Sequence, residues 1–345
     1  MPEAMVSAVE GAEVVFRLSD PEHAFTGVRL WEELGLAAEQ LEFKPVENGW
    51  ELRLPRPSVH RMEYLFDIAG SGMRTDPTNP RIVGGAFGEH SWLPLPGYVE
   101  PAWIAVEPIA SSLTPLPVDP TPVGPVDVQV WAPDGIAPGY ELPLLLAHDG
   151  PEFAAYAGLT HYVGAMVADG TLPPLRLALI RPGSRNLWYA ANPQYARALT
   201  QDVLQTITSA YRSKRPVLMG ASLGALAALH AEWKHPGSFA GLFLQSGSFF
   251  TLDTDPQEAK FEYYAEVTAF VNSVLTATEP PSKPFVSMTA GTPEENVHNN
   301  RVMAAHLSHL GLPVAFDESP DMHNFTAWRD VLDPCLTELL RRVWR

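Results

Sequence analysis

The sequence is poor in cysteine and in basic residues. It contains one cysteine, Cys335, among 345 residues, so an intramolecular disulfide and a cysteine-based metal cluster are excluded. Lys and Arg number 23 against 40 Asp and Glu, which gives a formal net charge of −17 at pH 7. This charge argues against nucleic acid and anionic membrane surfaces as partners, because both are bound through clustered basic side chains.

Long apolar runs and leader patterns are also lacking. No uninterrupted apolar stretch reaches the length of about 18 residues that a membrane span needs, and no secretory signal follows Met1. The spacings typical of metal sites and phosphate-binding loops are missing, so no metal and no cofactor are expected. We therefore expect a cytoplasmic protein that acts on a small molecule.

The chain is long enough for two domains, and a proline-rich segment divides it. Apolar residues make up 46% of the composition, which allows a large core. Six prolines fall between Pro108 and Pro125. Since proline fixes φ and has no backbone donor, this segment cannot form a helix or an inner strand. We predict a first domain at 1–110, a linker at 111–126 and a second domain at 127–345.

The two predicted domains differ in their hydrophobic pattern. In the first, short apolar runs between turn residues, such as Trp50–Leu54, predict a small antiparallel β-sandwich. In the second, runs typical of buried strands alternate with amphipathic stretches typical of helices, which predicts an α/β fold with a mostly parallel sheet. The predicted strands are 128–131, 144–147, 175–180, 217–219, 242–244, 285–288 and 314–316. The predicted helices are 159–167, 193–211, 225–233, 260–275, 302–310 and 325–345.

The sharpest motif is the G-x-S-x-G sequence at Gly220–Gly224, between a predicted strand and a predicted helix. In α/β hydrolases this sequence forms the nucleophile elbow, which lifts a serine hydroxyl out of the sheet at a helix N-terminus. Glycine is required on both sides because neighbouring chains pass too close for a Cβ. The alternative is a tight turn in which small residues merely pack. We predict that Ser222 is a catalytic nucleophile.

A serine nucleophile needs a general base, which comes last along the chain in this fold. His323 follows the last predicted strand by a short loop and opens the terminal helix, so it is the predicted base. An ordinary loop histidine is the alternative. The other candidate histidines fit the role less well. A surface position in or near the helix after the strand at 285–288 is predicted for His298, His306 and His309. The elbow helix, or the residues just past it, carries His230 and His235, and His148 could line the site.

The remaining members of a triad and an oxyanion hole are assigned by order along the chain. The carboxylate that orients the base is predicted to be Glu294, with Glu295 as second choice. Both could instead complement the N-terminus of the next helix. One oxyanion donor is predicted to be the Leu223 N–H. The other is the N–H of Gly150 or of Glu152, and the choice stays open.

Six segments carry a resemblance to a known family. They are Asp149-Gly150, RNLWYAANPQY from Arg185, the GASLG elbow, QSGSF from Gln245, Gly291-x-x-Glu294 with Asn300 downstream, and HNFTAWR from His323. On these segments the chain resembles the enterochelin (ferric-enterobactin) esterase-like branch of the esterase D family, within the α/β hydrolases. Two positions depart from the family pattern: Trp188 replaces a glutamate, and Asp321-Met322 replaces Gly-Gly ahead of the histidine.

The resemblance implies a serine esterase preceded by an early-set β-sandwich, and it also supports Glu294 as the triad acid. Five side chains are predicted to bind an ester substrate: Arg185, Asn192, Trp188, Phe249 and Trp328. Two other functions remain open from the sequence, an acyltransferase on the same triad and a carbohydrate-binding or scaffold protein with an inert hydrolase domain. For the β-sandwich domain there are two further hypotheses: it covers the mouth of the active site, or it mediates contacts in a homodimer.

Overall fold

The computed structural model describes residues 5–85 and 88–345, and the chain divides into two compact units. The first unit comprises Met1–Val99 together with Pro320–Asn324. The second comprises Glu100–Ser319 and Phe325–Arg345. A short segment from near the end of the chain therefore belongs with the N-terminal residues.

The first unit is a β-sandwich. Its described residues form one sheet of order β1-β2-β5-β4 and a second of order β3-β6-β9-β8, with β7 paired to β6. Apolar side chains from both sheets, among them Phe16, Tyr64 and Phe66, share one core. The strands are β1 (Ala8–Glu10), β2 (Glu13–Ser19), β3 (Val28–Glu32), β4 (Lys44–Val46), β5 (Gly49–Pro55), β6 (Arg61–Ile68), β7 (Gly72–Arg74), β8 (Ile82–Gly85) and β9 (Gly88–Pro94).

The second unit is built on an eight-stranded sheet of order β10-β11-β13-β12-β14-β15-β16-β17. The pairs β10–β11 and β11–β13 are antiparallel, and all the others are parallel. Strand β12 is buried along its whole length, as expected of a strand covered on both faces. The strands are β10 (Ser111–Pro115), β11 (Asp127–Pro133), β12 (Leu142–Ala147), β13 (Arg176–Arg181), β14 (Ser213–Ala221), β15 (Gly241–Gln245), β16 (Phe285–Gly291) and β17 (Val314–Ser319).

Helices cover both faces of this sheet and enclose two separate apolar cores. Within residues 5–85 and 88–345, none of the helices combines the length and the apolar character that crossing a membrane requires. The helices are α1 (Gly150–Tyr156), α2 (Leu159–Ala168), α3 (Arg185–Tyr189), α4 (Pro193–Arg197), α5 (Leu204–Ala210), α6 (Leu223–Lys234), α7 (Tyr264–Leu275), α8 (Val297–His309), α9 (Phe325–Asp330) and α10 (Thr337–Val343).

The proline-rich segment 111–126 is not a separate linker. Its first residues form β10, which pairs with β11, and Val118 and Val126 exchange backbone hydrogen bonds of 2.9 Å. Strand β10 lies at the edge of the sheet, where proline is tolerated because one row of backbone groups needs no partner. The boundary between the units lies after Val99, earlier than the predicted end of the first domain at residue 110.

Candidate active site

Ser222 lies at the turn between β14 and α6, in a strained backbone conformation with φ of +56° and ψ of −124°. Two hydrogen bonds hold this turn against the end of β15 and the residues that follow it. The Ser222 N–H donates to the Gln245 carbonyl at 2.9 Å, and the Ser222 carbonyl accepts from the Ser248 N–H at 3.2 Å. Positive φ is unfavourable for a residue with a Cβ, so the surrounding contacts maintain this conformation.

The two glycines of the motif, Gly220 and Gly224, differ in how closely other atoms approach them. A Cβ on Gly220 would lie 2.4 Å from the carbonyl carbon of Gly224, which is much closer than any real contact. A Cβ on Gly224 would lie 3.3 Å from the Cβ of His148 and 3.4 Å from a carboxylate oxygen of Asp149. The steric reason predicted for the flanking glycines therefore holds strictly at Gly220 and less strictly at Gly224.

We expect Ser222→Gly to be more stable than Ser222→Ala by about 1 kcal/mol. A residue with a Cβ at such a φ and ψ costs about 1–3 kcal/mol, and glycine avoids this cost while losing about 0.5–1 kcal/mol through its greater freedom when unfolded. Urea denaturation of both variants measures the difference. The matched pair Ser273→Gly and Ser273→Ala lies inside α7 and should show the reverse order. An alanine variant at Ser222 as stable as the glycine variant would contradict the strain argument.

The predicted oxyanion donors lie at two helix N-termini. Leu223 is the first residue of α6, and Gly150 is the first residue of α1 with Glu152 in the same turn. N–H groups in the first turn of a helix have no acceptor within that helix, so they are available to a developing negative charge. Gly150 is pressed against β13, because a Cβ there would lie 2.4 Å from the Cα of Leu179.

A hydroxyl of a second serine lies beside the predicted nucleophile. The Oγ atoms of Ser222 and Ser248 are 3.1 Å apart, within hydrogen-bond distance. Ser248 is buried, and its backbone is held through the preceding glycine by Asn300. The Asn300 side chain accepts from the Gly247 N–H at 2.9 Å and donates to the Gly247 carbonyl at 3.0 Å. In the sequence, Asn300 stands out only as part of a segment that resembles the family, and nothing there indicates this role.

Glu294 is buried in the loop after β16, at 5% exposure, and its carboxylate is held in place. Its Oε1 accepts a hydrogen bond of 2.8 Å from Ser246 Oγ and one of 2.9 Å from the Gly291 N–H. Ser246 Oγ in turn accepts from Trp328 Nε1 at 3.0 Å. Glu295, by contrast, is exposed and accepts from the side chain of Gln257. The structure thus separates two neighbouring carboxylates that chain order alone left as first and second choice.

His323 is partly buried in the loop between β17 and α9. It lies in the segment Pro320–Asn324, which groups with the first unit although both neighbouring elements belong to the second. Its position after the last strand is the one predicted from chain order. His148, considered as a residue lining the site, is fully buried instead. Its Nδ1–H donates to the Gly224 carbonyl at 2.9 Å, and burial lowers the pKa of His148 to about 4.

Arg185 and Asn192, both predicted to bind substrate, have partners within the protein. Arg185 pairs with both carboxylate oxygens of Asp149, at 2.8 Å each. Asn192 caps the N-terminus of α4, where its side-chain oxygen accepts from the N–H groups of Gln194 and Tyr195. These contacts give Arg185 and Asn192 structural roles, and their contact with substrate stays a prediction.

The three aromatic residues predicted to bind substrate are buried. Trp188 is 5% exposed and stacks on Tyr195 at 5.3 Å between ring centroids, and Trp328 is 8% exposed. Phe249 is 1% exposed, and it borders a pocket of about 300 Å³ that Thr251 and Asn272 also line. Core packing therefore explains these aromatics, and substrate contact would require them to become uncovered.

Comparisons with known proteins give one family and several similar folds. A family model described as "Putative esterase" matches residues 121–339. The enterobactin esterase from Shigella flexneri covers 96% of this chain and 94% of its own, with 17% identity and a TM-score of 0.78. The ferric enterobactin esterase from Salmonella typhimurium gives the same coverage with 19% identity and a TM-score of 0.78. A ferulic acid esterase covers 68% of this chain and 99% of its own, with 15% identity and a TM-score of 0.57.

A comparison with curated proteins finds no match. At identities below one fifth, the similar structures show a shared fold. The predicted α/β-hydrolase fold with an N-terminal β-sandwich is therefore confirmed.

Proposed function

The chain belongs to the Esterase family, and from this premise we propose that it hydrolyses a carboxylic ester through an acyl-enzyme on Ser222. His323 acts as the general base and Glu294 as the carboxylate that orients it. The observation that carries the proposal is the strained turn of Ser222 between β14 and α6. A serine held at positive φ by glycine-dependent packing is costly for stability, and such strain clusters at active sites.

The proposed reaction has two halves. Ser222 Oγ attacks the ester carbonyl carbon while the His323 imidazole accepts the hydroxyl proton. The carbonyl oxygen becomes an oxyanion stabilised by the N–H of Leu223 and that of Gly150 or Glu152. The tetrahedral intermediate then expels the alcohol, which takes the proton from the imidazolium. Water attacks the acyl-enzyme through the same steps and releases the carboxylic acid.

The proposed role of Glu294 is supported by its surroundings. A triad carboxylate holds the imidazole in one tautomer and stabilises the imidazolium that forms. That role requires a carboxylate that does not rotate freely. Ser246 Oγ and the Gly291 N–H both bind Glu294 Oε1, which limits rotation about the carboxyl group. Burial keeps water from screening the charge.

We expect a fluorophosphonate probe to label Ser222 in the wild-type protein and to react about 10²- to 10⁴-fold more slowly with His323→Ala, because the probe requires a serine activated by its base. The labelled peptide is located by mass spectrometry. His309→Ala changes an exposed histidine at the end of α8 and should react at the wild-type rate. Labelling of a different serine, or equal rates for both histidine variants, would overturn the assignment.

A further inference from the structure

A cluster of charged side chains lies buried in the first unit, around Arg61. The Arg61 side chain is inaccessible to solvent. Its Nη1 contacts Glu63 Oε1 at 2.6 Å, its Nε lies 3.1 Å from Asp321 Oδ2, and its Nη2 donates to Asn324 Oδ1 at 2.6 Å. One guanidinium on strand β6 thus binds two side chains of the segment Pro320–Asn324.

Glu33 and His90 complete the cluster. Asn324 Nδ2 donates to Glu33 Oε2 at 2.6 Å, so both ends of the Asn324 amide are bound. His90 Nδ1 lies 3.1 Å from Glu63 Oε2, and this hydrogen bond raises the pKa of His90. Burial, together with the charge of Glu63, raises the pKa of Glu33 to about 7. Both shifts favour the protonated forms of His90 and Glu33, which lessens the excess of negative charge around Arg61.

The cluster also resembles a metal site, because ligand atoms of Glu33, Glu63 and His90 lie within 4.8 Å of one another. Arg61 argues against a metal ion there. Its guanidinium already contacts Glu63, and the other Glu63 oxygen faces His90. The positive charge that the carboxylates require is thus supplied by the chain itself.

Burying such a network is seldom the most stable way to fill a core, since apolar side chains of similar volume do as well or better. A gain in positional definition is one reason for which such networks are retained. Here Asp321 and Asn324 lie on either side of His323 in the chain. A backbone bond of 2.7 Å from the His60 N–H to the Pro320 carbonyl adds a third attachment to the same segment.

We propose that this network positions the general base. Arg61 and Glu33 hold Asp321 and Asn324, and thereby fix the backbone that carries His323. This inference rests on the proposed function of His323. It also gives the departure from the family pattern a physical role, because Asp321 occupies a position where Gly-Gly would offer no side chain to bind. Arg61, Glu33, Asp321 and Asn324 are positioning residues, and of these five residues only His323 acts on the substrate.

Asn324→Ala tests the proposal. Substitution of Arg61 would leave buried carboxylates without their cation, whereas substitution of Asn324 removes no charge. We expect kcat to fall about 10- to 100-fold, with KM within about twofold of wild type, because a small displacement of the base impairs proton transfer more than binding. Asn79→Ala is the matched control. Asn79 is a buried amide of the same unit that hydrogen-bonds Tyr64 and the Trp92 carbonyl. It should destabilise the fold to a similar degree and leave kcat, per titrated active site, near that of wild type.

Two variants of Glu33 test the same contact from its other side. Glu33→Gln keeps an oxygen that can accept from Asn324 Nδ2, whereas Glu33→Ala removes it. We expect the glutamine variant to keep kcat within about threefold and the alanine variant to lose about tenfold. Equal kcat values in the two variants would contradict a positioning role.

His323→Ala separates failure of this proposal from failure of the proposed function. If His323→Ala keeps wild-type activity, His323 is not the base and the proposed function fails. If His323→Ala loses activity while Asn324→Ala keeps it, only the positioning role is overturned. The double variant of His323→Ala and Asn324→Ala completes a double-mutant cycle. In the protein that already lacks the base, Asn324→Ala should cause no further loss of kcat. If Asn324→Ala lowers kcat by the same factor in the wild-type protein and in His323→Ala, its role is merely structural and the proposal is overturned.

Discussion

Replacing Ser222 with alanine is expected to lower kcat for an activated ester such as p-nitrophenyl acetate by about 10⁴- to 10⁶-fold, with little change in KM. The proposed mechanism forms an acyl-enzyme on this hydroxyl, and removal of a nucleophile that acts with its base abolishes the covalent route. The backbone donors at the N-termini of α1 and α6 remain, so a residual rate above that in water should persist. Steady-state kinetics on highly purified variant protein measures both parameters.

Ser248→Ala is the informative companion, because its hydroxyl lies 3.1 Å from that of Ser222. The probe should still label the Ser222 peptide in Ser248→Ala and should label neither serine in Ser222→Ala. If Ser222→Ala keeps the activity of the wild type and Ser248→Ala loses it, the neighbouring hydroxyl is the nucleophile and the proposed mechanism is wrong.

Local patterns were sufficient to predict most of the second unit. The continuous apolar run that forms β12 and the amphipathic stretch that forms α7 each report burial directly, because the period of the apolar residues is set by the element itself. The turn at Ser222 was equally accessible, since its glycines reflect a steric requirement within five residues. Sequence reasoning succeeded where the physical constraint is short in range.

Contacts between distant parts of the chain escaped prediction. Proline content identified Ser111–Pro115 as unsuited to an inner strand but could not show that it pairs at an edge. Nothing in the spacing of residues indicates that Arg61 binds Asn324, which lies 263 positions away. Aromatic side chains such as Trp188 suggested a binding surface, yet an aromatic ring packs equally well in a core. Only the folded structure distinguishes these alternatives.

Glu294 and Glu295, between which sequence order does not decide, differ in burial. Both follow β16, both are carboxylates, and either could complement the N-terminus of α8. Glu294 Oε1 is fixed by Ser246 and Gly291, while Glu295 is exposed. A charge in the buried position is weakly screened and acts strongly on a nearby imidazolium, whereas an exposed charge acts weakly.

Glu294→Gln should therefore lower kcat by about 10²- to 10⁴-fold, the range expected when a triad carboxylate becomes an amide. The glutamine oxygen can still accept from Ser246 and Gly291, so the loss reports the missing charge rather than a collapsed loop. Glu295→Gln is the isosteric control at the adjacent position and should keep kcat within about twofold, because its carboxylate is exposed to solvent. The reverse order of the two effects would make Glu295 the acid. Full activity in both variants would leave a Ser-His dyad, in which the buried carboxylate of Glu294 serves only to hold the loop after β16.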